Sequence, residues 1–176
     1  MFRSGTRQKH GSARPVIGEP FGRLYDDAVA IVMRGSVLDA VIDYSESEPA
    51  RELGGFLVGR HEPNGRPRVV VNHFLPAVDA QSAAASLTFT HETWSAANRQ
   101  VEQQYPDQII VGWHHTHPNF GIFLSGYDLF IHRNFFPHPW QIALVVDPQR
   151  QELGFYQWRG SEVADCGFVY VPDYKE

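Results

Sequence analysis

Short runs dense in β-branched and aromatic residues recur along this chain, and stretches with helical spacing separate them. The strand-like runs are Ala28 to Met33, Leu53 to Arg60, Arg68 to Leu75, Ser86 to Phe89, Gln108 to Trp113, Gln141 to Val146, Leu153 to Trp158 and Val163 to Val171. EPNGRP separates the second run from the third and predicts a hairpin. Ser36 to Glu46 predicts a helix with Val37, Ala40, Val41 and Tyr44 inward and Ser36 as N-cap. A second helix follows Thr90, an N-cap with Glu92 near the positive end of the helix dipole. It turns Trp94, Ala97, Val101 and Tyr105 inward and stops before Pro106. A third runs from Ser125 to about Phe136, ahead of Pro137. Residues 77–85 read as a loop. This order predicts an α/β (α+β) protein, one curved sheet with helices packed against it.

The 176 residues suit a single domain, expected over 21–176 behind a basic, mobile tail at 1–20. Nucleic acid is disfavoured as the main partner by a net charge of -5, because phosphate binding needs a basic surface. No apolar run is long enough to span a bilayer, so no membrane partner is expected. Cys166 is the single cysteine, which excludes an intrachain disulfide and a thiolate zinc cluster and fits a reducing cytoplasm.

The densest chemistry lies in GWHHTHPNFGIFLSGYDL, residues 112–129. If the strand before it continues, alternation puts His115 and His117 on one face and His114 and Thr116 on the other. Two imidazoles at i and i+2 can reach one cation. Asp128 follows a glycine-containing loop; with Ser125 as N-cap it falls in the first helical turn and can return over the strand. Two histidines, an aspartate and a water make a zinc shell with an open position. Glu52, in RELGGFLVG, is a candidate base for that water, and the Ser125 hydroxyl a candidate donor to a developing oxyanion. Taken singly, each feature also has a plain reading: a surface His-x-His pair, a glutamate ahead of a strand, a helix cap. His114 is expected to pack away from the site, and His73, His91, His132 and His138 show no convergent spacing. The aromatic run Phe135 to Trp140 suits core packing or a substrate rim.

Together, Glu52, His115-Thr116-His117-Pro118, six residues, Ser125, two residues and Asp128 resemble the signature of the JAMM (MPN+) metalloproteases. RELGGFLVG resembles the glutamate-bearing strand of that family, and ALVVDP at 143–148 a following strand. The similarity spans roughly residues 25–160. It implies a cytidine-deaminase-like MPN fold and one catalytic Zn2+ on His115, His117 and Asp128. It also implies Glu52 as proton shuttle and Ser125 as oxyanion donor. The implied reaction is hydrolysis after the C-terminal glycines of a ubiquitin-like protein, by deconjugation or by trimming of a sulfur-carrier or phage-tail precursor. A non-catalytic scaffold is the alternative outside the enzymes. A compact chain of this kind resembles bacterial deconjugating peptidases that accompany E1-like and E2-like partners, antiviral conjugation systems among them.

Overall fold

The computed structural model describes residues 3–4, 18–77, 81–83, 86–88 and 90–173. In chain order the elements are β1 (Arg3–Ser4), β2 (Glu19–Phe21), β3 (Ala30–Arg34), α1 (Gly35–Ser47), β4 (Gly54–Glu62) and β5 (Arg68–Pro76). Then come β6 (Gln81–Ala83), β7 (Ser86–Thr88), α2 (His91–Gln104), β8 (Ile109–Thr116) and α3 (Gly126–Phe135). The chain closes with β9 (Ile142–Asp147), β10 (Glu152–Arg159), β11 (Glu162–Cys166) and β12 (Phe168–Val171).

Among the described residues, one mixed sheet runs β1-β10-β9-β8-β4-β5-β3-β12-β2, with β11 also on β10. The expected hairpin is the antiparallel pair β4 and β5. Its neighbour β8 is antiparallel to β4 and parallel to β9, so the histidine strand lies mid-sheet and is buried on both faces. One face packs Ile31, Met33, Leu57, Val71 and Leu144 against Val37 and Val41 of α1. The other packs Phe56, Trp113 and Ala143 under Ala97 and Val101 of α2 and Ile131 of α3. Where β4 passes from Leu57 to Val58 its partner passes from Gly112 to Ile110, a bulge at Val111 that re-aims the strand before the histidines.

Several expectations change. Ser36 is not the cap of α1: the N-cap is Arg34, without a side-chain bond, and the Ser36 amide donates to the Asp173 carboxylate from the far end of the chain. The buried face of α1 is Val37, Val41 and Ser45; Ala40 falls outside this i, i+4 row and is exposed. The run expected at 163–171 is two strands. They are divided at Gly167, where a Cβ would meet the Phe21 carbonyl at 2.2 Å, so the position admits only glycine. β11 pairs with β10, whereas β12 crosses to pair with β2 and β3. Within the expected loop at 77–85, Gln81–Ala83 is a strand antiparallel to Ser86–Thr88. Residues 78–80 and 84–85, like Phe89 of the neighbouring run, lie outside the described residues. Of the expected tail, Arg3–Ser4 pairs with β10 and Glu19–Phe21 with β12; residues 1–2 and 5–17 lie outside the described residues.

Candidate metal centre

The site is assembled by β8, the loop after it and the first turn of α3. The extended strand puts His115 and His117 on one face, both buried. Ser125 caps α3: its Oγ accepts from the Asp128 amide at 3.1 Å, and the Asp128 carboxylate accepts from the Ser125 amide at 2.8 Å. This reciprocal box fixes the aspartate over the strand. The gap from Nε2 of His115 to Nε2 of His117 is 3.0 Å, and Asp128 Oδ2 lies 3.2 Å from each.

This triangle suits a small cation. The His117 Nδ1 lies 3.1 Å from the Gly121 carbonyl, which only accepts, so Nδ1 carries the proton and Nε2 a lone pair. A lone pair of Asp128 and the Nε2 of His115 meet it, with room for at most one proton, on His115. Tetrahedral zinc with bonds of about 2.0–2.1 Å requires ligand atoms about 3.3 Å apart, close to the spacing here. The protonation states agree as well. Burial foremost lowers the His115 pKa, against the pull of Asp128, so the imidazole stays neutral. For Asp128, burial opposes ionisation, but the bonds from His115 and from the Ser125 amide outweigh it and hold the carboxyl below its ordinary range. A neutral imidazole at His115 and an ionised carboxylate at Asp128 are forms a metal takes.

Glu52 stands two residues before β4 and is half-buried. Gly54 pairs with His115, and the Thr116 amide donates to the Leu53 carbonyl at 2.8 Å, so the antiparallel ladder continues beyond the strand. The same register puts position 52 opposite position 117, on the face that carries both histidines.

The two imidazoles are oriented by different means, neither evident in the sequence. Gly121 (φ 83) turns the loop so that its carbonyl meets His117. The loop is gripped by Asp147, a fully buried carboxylate at the end of β9. Its Oδ1 accepts from the amides of Asn119, Gln149 and Arg150 at 3.0, 3.1 and 3.0 Å, and Oδ2 from Gly121 at 2.8 Å. Burial opposes its charge; these four donors outweigh that and lower its pKa. The only available signal was its place in ALVVDP, ahead of a proline. His115 instead stacks on Trp113, centroids 4.5 Å apart and planes 13° from parallel. Its Nδ1 finds no hydrogen-bond partner among the described residues, so stacking holds the ring. The Trp113 indole donates to Nδ1 of His132 at 3.0 Å. His132, without convergent spacing in the sequence, thus steadies the platform under a candidate ligand. Burial lowers its pKa to about 4.

As expected, His114 turns to the opposite face. Ser45 donates to the Val41 carbonyl at 2.7 Å, so Nε2 of His114 must donate to Ser45 Oγ at 3.1 Å. Within the run expected as core or rim, Phe136 is fully buried in the core. The exposed aromatics lie earlier: Phe120, Phe123, Tyr127 and Phe130, with Phe123 packed on His117.

Residues 26–136 match the family described as JAB1/Mov34/MPN/PAD-1 ubiquitin protease. The chain belongs to this family. Its relatives include NAD(+) hydrolase TcpA of a Theionarchaea archaeon, 30% identical over 71% of this chain and 34% of that protein. COP9 signalosome complex subunit 5 of Caenorhabditis elegans is 28% identical over 56% of this chain and 27% of its own length. Ubiquitin carboxyl-terminal hydrolase RPN11 of Saccharomyces cerevisiae is 41% identical over 31% and 18%. The chain therefore spans about a third or less of these curated relatives. Protein DSY2949 of Desulfitobacterium hafniense shares the fold: TM-score 0.63 over 82% of this chain and 94% of that one, at 16% identity. No described helix is long and apolar enough to cross a membrane.

Proposed function

We propose that this JAB/MPN protein is a zinc-dependent isopeptidase that cleaves after the C-terminal glycines of a ubiquitin-like protein. The observation that carries the reading is the buried convergence of His115, His117 and Asp128 on one point beside the Glu52 segment. Zinc bound there would supply Lewis acidity, lowering the pKa of a bound water and polarising the scissile carbonyl. Glu52 accepts the proton of the attacking water and delivers it to the departing lysine amine. Ser125 donates to the oxyanion: its cap bond with the Asp128 amide uses a lone pair and leaves the hydroxyl proton for this task. His115, His117 and Asp128 would hold the cation, and Gly121 and Trp113 keep the rings aimed. The exposed Phe120, Phe123, Tyr127 and Phe130, with Phe123 packed on His117, present apolar surface suited to a folded protein substrate. Family membership and the similarity to COP9 signalosome complex subunit 5 and RPN11 support the substrate class.

The test uses β-grasp proteins ending in Gly-Gly, each joined through an isopeptide bond to a fluorescent lysine peptide or extended by a short linear peptide. Cleavage should occur at the isopeptide bond, stop with phenanthroline, and fall at least about 100-fold in Glu52→Gln with zinc retained. Full activity of Glu52→Gln removes the base, and cleavage of linear extensions alone favours precursor trimming.

A further inference from the structure

We propose that Thr116 is a positioning residue for the reaction, holding the Glu52 segment in place through its hydroxyl. This rests on the assignment of Glu52 as the proton shuttle. Thr116 is fully buried. Its Oγ1 accepts from the Leu53 amide at 2.8 Å and donates to the Arg51 carbonyl at 3.2 Å. Its own amide donates to the Leu53 carbonyl at 2.8 Å. One side chain therefore grips the backbone on both sides of Glu52. By strand alternation that side chain points away from the face of His115 and His117. The grip comes from behind the ladder, and position 52 is left facing the two histidines.

The need for such a grip follows from the local chain. The regular strand begins at Gly54, so Glu52 lies outside it, between an exposed turn and two glycines. Without the hydroxyl, the Arg51 carbonyl and the Leu53 amide both lose this partner, while the bond from the Thr116 amide to the Leu53 carbonyl remains. A proton shuttle must stay within hydrogen-bond reach of the water, and a displacement near 1 Å costs rate out of proportion to its size. The zinc ligands do not depend on these bonds: His115 and His117 are oriented through Trp113 and Gly121. Loss of the hydroxyl should therefore separate catalysis from metal binding.

The test compares Thr116→Val, isosteric without the hydroxyl, with Thr116→Ser, which keeps it, and with Glu52→Gln. In Thr116→Val, kcat on the isopeptide reporter should fall about 10- to 100-fold while KM and zinc stoichiometry stay at wild-type values. Thr116→Ser should recover most of the loss. Amide hydrogen exchange over residues 51–54 should accelerate in the valine variant and not in the serine variant. Thr116→Ala, which loses the same two bonds, should repeat the valine result and serves if the valine variant does not fold. Wild-type kcat in the valine and alanine variants, beside an inactive Glu52→Gln, would overturn the role of Thr116 and leave the mechanism standing. A fully active Glu52→Gln would overturn the shuttle itself, and the premise of this proposal with it.

Discussion

Replacing Asp147 with asparagine isolates the carboxylate that shapes the His117 loop. The side chains are nearly isosteric, so packing is preserved and the hydrogen bonds change. The three amides on Oδ1 can keep an oxygen partner but lose its charge, about 1 kcal/mol apiece. The Gly121 amide, now on Oδ2, would face an amide NH2 and lose its bond, about 1–3 kcal/mol. Relief from burying a charge offsets part of this. The expected net loss is about 2–4 kcal/mol, a large share of the stability of an ordinary domain. The Gly121 carbonyl also sets the His117 tautomer, so zinc affinity should fall about 10- to 100-fold even well below the unfolding temperature. Denaturant unfolding reads the first effect and chelator competition on folded protein the second. Wild-type zinc affinity in a destabilised Asp147→Asn would refute the link from loop to ligand. Unchanged stability would refute the four-donor clamp.

His132 makes stability depend on pH. Its pKa is about 4 in the folded protein and 6.5 ordinarily, so it contributes stability above pH 6.5 that is lost as pH falls towards 4. The whole effect is about 3 kcal/mol. His132→Phe should be less stable than wild type at pH 8, because the Trp113 indole loses its acceptor, and the gap should shrink by about that amount at pH 4; a constant gap in denaturant titrations contradicts it. Gly59 lies where a Cβ would stand 1.8 Å from the Val70 carbonyl. Gly59→Ala should part β4 from β5 and lower the melting temperature by more than about 10 °C, measured by circular dichroism; a smaller shift would mean the ladder yields at little cost.

The parts of the site legible in the sequence were those written in neighbouring residues. His115 and His117 share a face because strands alternate, and Ser125 and Asp128 meet because a capping box spans three residues. The hairpin, α2 and the inward Val37 and Val41 followed from equally local signals. What escaped was decided by distant partners. Asp173 takes the capping role expected of Ser36, across 137 positions of sequence. Gly167 looks like any glycine in a β-rich run until the Phe21 backbone lies against it. Asp147, His132 and the Thr116 hydroxyl carry no local pattern for their roles, since each acts on a segment that only folding brings near.

The proposed centre is one zinc ion among His115, His117 and Asp128 with Glu52 beside its water. Anomalous diffraction at the zinc edge, from crystals of zinc-loaded protein, tests it most directly. The expected result is one peak about 2.0–2.2 Å from Nε2 of each histidine and from Asp128 Oδ2, with a Glu52 oxygen about 2.6–3.2 Å from the bound water. A peak elsewhere, or a Glu52 carboxylate beyond reach of that water, would contradict it.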